Sequence, residues 1–218
     1  MHPLEPLPEG DHVLGTAASP PRREPLSGRW YALVPIDPDR HAADLFDAGH
    51  VAGHEGLWTY LPYGPFESHG AMRTWLRQCA TSTDTWFFAV VDRATERAVG
   101  MCAFLNVVPE MRRLEIGHVW YAPDRQGKGI NADSCHRLLV EAFEHLGYRR
   151  VEWKCDSLNA RSRAAALKLG FTFEGVFRQH MIRKGRNRDT AWFSILDREW
   201  PSAKGVLEAR LERQRKSV

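Results

Sequence analysis

The hydrophobic pattern changes period several times along the chain, and each change marks an element. Thr85–Val91 is an almost unbroken apolar run, the pattern of a strand buried on both faces. Asp92–Arg97 is polar and turn-like, and Ala98–Val107 predicts the returning strand. Arg113–Tyr121 predicts a third strand, ended by Pro123. Beyond a glycine turn, Cys135, Leu138, Leu139, Ala142, Phe143 and Leu146 form one apolar stripe with a helical period of about 3.6 residues. Gly147 supplies the stop. Val151, Trp153 and Cys155 then alternate with Arg150, Glu152 and Lys154, which predicts a strand over Arg150–Asp156.

The flanking segments follow the same logic. Trp30–Val34 predicts a short strand stopped by Pro35. Asp37 and Pro38 suit the cap and first turn of a helix reaching about Ala48. An aromatic, glycine-containing loop, Leu57–Phe66, precedes a second helix over Ser68–Ala80. Asn159 caps a short helix that ends at Leu169 and Gly170, and strands follow over Phe171–Met181 and Thr190–Leu196. The tip between them, Arg183–Arg188, is basic, and Trp200 and Pro201 open a charged helix. Residues 1–25, rich in proline, predict a flexible arm, with order beginning at Arg29. The expected division is this arm, one domain over 26–200, and the charged helix over 201–218. The element order predicts an α/β (α+β) fold: a mixed, mostly antiparallel central sheet of roughly six to seven strands flanked by helices. It lacks the regular alternation of a doubly wound fold.

Composition narrows the function without naming it. A chain of 218 residues with 43% hydrophobic content supports one sizeable core. A net charge of +3 is too small to argue for nucleic acid, so the basic stretch Lys204–Lys216 reads as a solvated helix rather than an RNA-binding tail. No stretch approaches the roughly 20 apolar residues of a membrane span, and residues 1–28 lack an apolar signal core. Cys79, Cys102, Cys135 and Cys155 are widely spaced, which predicts free thiols, no zinc knuckle and a cytoplasmic setting. His50 and His54 have helical spacing but no internal Glu, so no metal is expected.

The segment with the clearest chemistry is Gln126-Gly127-Lys128-Gly129-Ile130-Asn131. A strand-to-helix turn gathers unpaired amides at the positive end of a helix dipole, which suits a phosphate. Gly127 and Gly129 remove side-chain bulk, and Arg125 and Lys128 add charge. On its own the segment is a moderate signal, with an ordinary strand-to-helix turn as the alternative. It is neither a P-loop nor a dinucleotide fingerprint.

Several segments together resemble one family. Gln126-x-x-Gly129-x-Asn131 is similar to the pyrophosphate motif of the GNAT acetyltransferases, with Asn131 where Gly or Ala is usual. Glu115–Pro123, Asp156–Ser162, Leu169–Gly175 and Arg188–Thr190 resemble, in order, the corresponding segments of its RimJ/RimL-type branch. The resemblance implies acetyl-CoA as co-substrate, no metal, and direct attack by an amine in a ternary complex. It implies that the strands ending at Tyr121 and Asp156 splay apart. The pantetheine arm would then pair with Val119, Trp120 and Tyr121, and the pyrophosphate would lie on Gln126–Asn131. Asn159 and Ser162 would also touch the cofactor.

An amine must shed a proton before it attacks, and the departing thiolate accepts one. Glu115, Asp156 and His180 are the candidate bases. Ser162 matches the serine proposed as the acid in RimL-type enzymes, and Asn159 and Ser162 equally suit a helix cap. The tyrosine acid and strand glutamate of RimI-type enzymes correspond here to Ala166 and Lys154, and the RimL-type acceptor-side carboxylate corresponds to Met181. Trp58, Tyr60, Tyr63 and Phe66 are the candidate acceptor-pocket residues, or simply a packed loop. The expected acceptor is a protein N-terminal amine or a small amine. A non-catalytic acyl-CoA sensor is the alternative, and a homodimer stays open.

Overall fold

The computed structural model describes residue 7 and residues 9–215. Pro3, Pro6 and Pro8 of the expected arm, and Lys216 of the tail, lie outside the described residues. The chain forms an eight-stranded sheet in the order β1-β2-β3-β4-β5-β6-β8-β7. The strands are β1 (Leu26–Ser27), β2 (Tyr31–Pro35), β3 (Trp86–Asp92), β4 (Ala98–Val108), β5 (Arg113–Tyr121), β6 (Arg150–Asp156), β7 (Thr172–Arg183) and β8 (Arg186–Leu196). The helices are α1 (Pro38–Gly49), α2 (His69–Thr81), α3 (Ile130–Val140), α4 (Ala160–Lys168) and α5 (Trp200–Arg215). Order starts earlier than Arg29: the two-residue β1 pairs with β2 and is the strand beyond the expected six to seven. It is too short to carry a periodicity. Residues 9–25 contain no helix or strand, yet Ala18 is buried and its amide donates to Pro109 O at 3.0 Å. Among the described residues no helix is long and apolar enough to cross a membrane.

Local chemistry explains the helix starts. Asp37 accepts from the amides of Asp39 and Arg40 with Pro38 in the first turn, and Ser68 and Asn159 cap α2 and α4 in the same way. The apolar stripe after the glycine turn is buried at Cys135, Leu138, Leu139, Ala142 and Leu146. It does not stay α-helical throughout, because α3 widens into a π-turn over Glu141–His145.

The centre of the sheet is buried on both sides, which is why β3 shows no alternation, whereas β7 at the edge is largely exposed. Phe87, Ala89 and Val91 face α1 and α2 with Leu45, Trp58, Met72 and Leu76. Phe88 and Val90 face the opposite layer, where Leu138, Leu139, Ala166, Trp200 and Leu207 bring in α3, α4 and α5. A buried carboxylate fixes the start of α3 against the first strands. Asp133 accepts from the amides of Arg29, Trp30 and Tyr31 at 2.8, 2.7 and 3.0 Å. Arg125 adds a 2.7 Å ion pair to Asp92 at the end of β3.

Asp133→Ala strands three amides at once, and urea denaturation should show a loss of about 3 kcal/mol. Asp133→Asn keeps one acceptor oxygen and should lose less. A loss of under about 1 kcal/mol for the alanine variant would mean that these amides find other partners.

Candidate active site

The site lies where β5 and β6, the one parallel pair among the described residues, stop pairing. β5 and β6 pair from Arg113↔Arg150 to Ile116↔Trp153 and no further. Beyond that point β5 stays on β4 through Gly100↔Tyr121, and β6 stays on β8 through Asp156↔Thr190. Each strand is therefore held by its outer neighbour while the inner edges diverge. A groove of about 810 Å³ fills the gap.

On the face of α3 and α4, the groove ends at the glycine turn. Gly127 and Gly129 have φ of 78° and 90°, a region that glycine enters without strain. The amides of Gly127, Gly129, Ile130, Asn131 and Ala132 have no acceptor among the described residues. They converge at the positive end of α3. Gln126 Nε2 donates to Tyr121 O at 2.9 Å, and the Tyr121 hydroxyl donates to Asn131 Oδ1 at 3.2 Å. Asn131, which departs from the family pattern, thus ties the turn to the end of β5. Asn159 Oδ1 caps Ser162 at 3.0 Å, and Ser162 Oγ accepts from Trp153 Nε1 at 3.0 Å. Ser162 also lines the groove, with the Cys155 thiol within hydrogen-bonding reach of its hydroxyl.

The opposite face holds the charged groups. Glu115 is buried, and its Oε2 takes Asn106 Nδ2 at 2.6 Å and Lys154 Nζ at 2.9 Å. Lys154 also lies 3.2 Å from Glu152 and 3.9 Å from the Trp192 ring centroid. Two bulges shape this end. In β5, Met101↔Trp120 and Ala103↔Gly117 leave His118 and Val119 opposite one residue, with His118 at φ 52°. In β7, the register slips between Phe177 and Met181 with Gln179 at φ 49°, so both His180 and Met181 line the groove. His180 Nδ1 meets Thr190 Oγ1 at 2.9 Å. Burial, helped by the Arg183 charge, pushes the His118 imidazole down to about 4. Its Nδ1 is buried and without a hydrogen-bond partner.

The groove lining includes Glu115, Val119, Trp120, Tyr121, Gln126, Gly127, Ile130, Asn131, Asp156, Asn159, Ser162 and His180. Lys128 is exposed beside it, and Gly129 is buried there with Gln214 packed against it. The aromatic loop needs correction. Of its four expected pocket residues only Tyr60 lines the groove, with its hydroxyl on Leu158 O at 3.3 Å. Trp58 is buried, donates to Gly49 O and packs at 5.2 Å on Trp120. Phe66 and Tyr63 extend that aromatic layer behind the wall. The loop is held from outside by Lys184, whose ammonium donates to the carbonyls of Trp58, Tyr63 and Gly64. His50 is also structural: its ring bridges Phe46 O and the Phe66 amide. Among the described residues no group of His, Cys, Asp and Glu is placed to hold a metal.

Asn106 and His118 were not singled out in the sequence. Both have positive φ in strands, and that conformation leaves no compositional mark in a residue that is not glycine. Lys154 stands out in the sequence only as a departure from the family pattern. Its pairing with Glu115 depends on the register between β5 and β6.

A splayed parallel pair with free amides at the adjoining helix start is the layout that the resemblance to the acetyltransferases implies. Residues 32–172 match the family described as acetyltransferase (GNAT) domain. Bacillus subtilis (strain 168) YdaF, whose name marks it provisionally as a ribosomal N-acetyltransferase, is 36% identical over 153 residues, covering 68% of this chain and 81% of YdaF. The ribosomal-protein-serine acetyltransferase of Escherichia coli (strain K12) is 30% identical over 84 residues, covering 38% of this chain and 46% of that protein. A crystal structure of a GCN5-related N-acetyltransferase from Brucella melitensis superposes with a TM-score of 0.87 at 38% identity, covering 89% of this chain and 88% of the other. The chain belongs to the GNAT acetyltransferases, in the RimJ/RimL-type branch, and is an acyltransferase.

His118 generates a pH prediction. Its folded-state value lies below the ordinary imidazole value of about 6.5, so as pH falls the unfolded chain takes up the proton first. His118 therefore costs stability progressively from about pH 6.5 down to about 4. The stability difference between the native protein and His118→Gln should be flat above neutrality and move in favour of the variant across that window. A difference that stays constant down to pH 4 would contradict the burial of this ring.

Proposed function

We propose that this acyltransferase moves the acetyl group of acetyl-CoA to a primary amine, a protein N-terminal α-amine first of all, since two relatives are named for acetylating ribosomal proteins. The observation that carries the reading is the failure of β5–β6 pairing next to the unsatisfied amides of Gly127 and Gly129–Ala132. A thin polar arm with a phosphate-rich end fits these two features together. The unpaired edge of Val119–Tyr121 takes the arm, and the glycine turn takes the pyrophosphate. Ser162 and Asn159 border the arm from α4.

The proposed chemistry uses few side chains. The bulge in β5 frees a backbone amide near Val119 to polarise the thioester carbonyl. His180 removes the proton from the acceptor ammonium, directly or through water, with Thr190 holding its other ring nitrogen. Ser162 donates its hydroxyl hydrogen to the departing thiolate and is restored from solvent. Glu115 is engaged by Asn106 and Lys154, so in this reading it holds the wall between β5 and β6 rather than taking the proton.

Two measurements test the reading. An added Cβ at Gly127 meets nothing within 4 Å, so Gly127→Ala isolates the cost of its positive φ. Gly127→Glu adds bulk and charge, and should weaken acetyl-CoA binding at least about tenfold beyond the alanine variant. Equal affinities would remove the pyrophosphate from this turn. In assays of CoA release, His180→Gln should lower kcat by about 100-fold and remove the low-pH limb, where a general base becomes protonated, from the pH profile. A fall of less than about threefold with an unchanged profile would end its role as base.

A further inference from the structure

The hairpin β7–β8 brings two arginines to the acceptor end of the groove, and neither forms an ion pair among the described residues. Arg188 lies opposite Met181, and Arg183 lies two residues along the same strand from Met181. Strand alternation puts Arg188 on the face of Thr190, Trp192 and Lys154. This is the face opposite α3 and the pyrophosphate turn. Both arginines line the groove. Their Nε atoms are buried with no hydrogen-bond partner. Arg183 Nη2 reaches only the Met181 sulfur, at 3.8 Å, a weak acceptor.

The neighbouring charges do not account for them. Lys154 is engaged by Glu115 and Glu152, and Lys184 by three carbonyls. Asp189 accepts from the Gln179 amide and from Asn187, and Asp156 from the Leu158 amide. Among the described residues neither arginine forms an ion pair. Burial and the Arg183 charge disfavour the charged form of Arg188 and outweigh the opposing attraction of Asp156 and Glu115. A guanidinium cannot shed its proton in a protein, so the relief available is an anion.

We infer that Arg183 and Arg188 form an oxyanion site for the acceptor, which carries a carboxylate or phosphate a few bonds from the amine that is acetylated. This rests on the acetyl-transfer reading above. Planar guanidinium forks match both oxyanions in a bidentate way. An acidic residue next to a peptide N-terminus and a phosphorylated small amine supply the same chemistry from different sources.

The test compares matched acceptors with acetyl-CoA: a peptide beginning Ser-Asp-Glu against one beginning Ser-Asn-Gln, and O-phosphoethanolamine against ethanolamine. At least one anionic member should exceed its neutral partner in kcat/KM by about tenfold or more, and which pair does so identifies the source. The ratio should fall towards one in Arg188→Gln and in Arg183→Gln, each checked for native circular dichroism. In the native protein the preference should also decay with added sodium chloride, which covers the case of a variant that does not fold. A native ratio near one for both pairs, or a preference that survives both substitutions and salt, would overturn the site. Calorimetric binding of the same acceptors in the presence of CoA separates the two readings. Anion-selective binding without CoA release from any acceptor would defeat acetyl transfer and leave the anion site standing. Equal CoA release from charged and neutral acceptors would leave transfer standing and remove the anion site.

Discussion

The structure depends on one incomplete pairing. Backbone amides and carbonyls are costly to leave unpaired, and an inner pair of strands ordinarily satisfies them along its whole length. Here β5 and β6 part after Ile116 and Trp153. They cannot re-close cheaply, because each is committed to an antiparallel neighbour on its other side as far as Tyr121 and Asp156. The sheet thus carries an internal edge that neither aggregates nor collapses. It is lined by the starts of α3 and α4, by the aromatic loop and by the tip region of the β7–β8 hairpin, and it presents a row of polar groups to a guest that can complete the pairing.

The remaining features maintain that gap. Asp133 and Arg125 hold the glycine turn against β2 and β3, so the free amides of α3 keep a fixed position relative to the edge. The Lys154–Glu115 pair, strengthened by Asn106, bridges the two strands near the fork. A buried ion pair of this kind is weak evidence for stability. Its geometric effect is that the strands start to diverge from a defined point. The bulges at His118 and Gln179 place strained non-glycine backbone on both banks of the groove, as is common where a site demands geometry that regular strands do not offer. Lys184 closes the arrangement by tying the hairpin tip to the aromatic loop.

Much of this was legible in the residues, for identifiable reasons. Strand and helix periods are local, so β5 and β6 were found with their observed bounds, and the apolar stripe located α3. The glycine turn was legible because φ near +80° at Gly127 and Gly129 is a demand that glycine meets at low cost. What escaped depends on non-local register. Glu115 and Lys154 are 39 positions apart and meet only because Glu115 pairs with Glu152 on the neighbouring strand. The aromatic residues at 58, 63 and 66 could line a pocket or fill a core with the same composition. Trp58 took the core, since the surface of β4 and β5 beneath it offered Met101 and Trp120 to cover. β1 had too few residues to show any period.

The central claim is that one guest completes the unpaired edge of β5 and caps the start of α3 together. Amide hydrogen exchange resolved to single residues, with and without CoA, tests this directly. The account predicts slowed exchange confined to two stretches, the unpaired β5 edge around Val119–Tyr121 and the turn Gly127–Ala132, appearing at the same CoA concentration. Protection that spares either stretch, or that arises chiefly outside the β5–β6 fork, would contradict it.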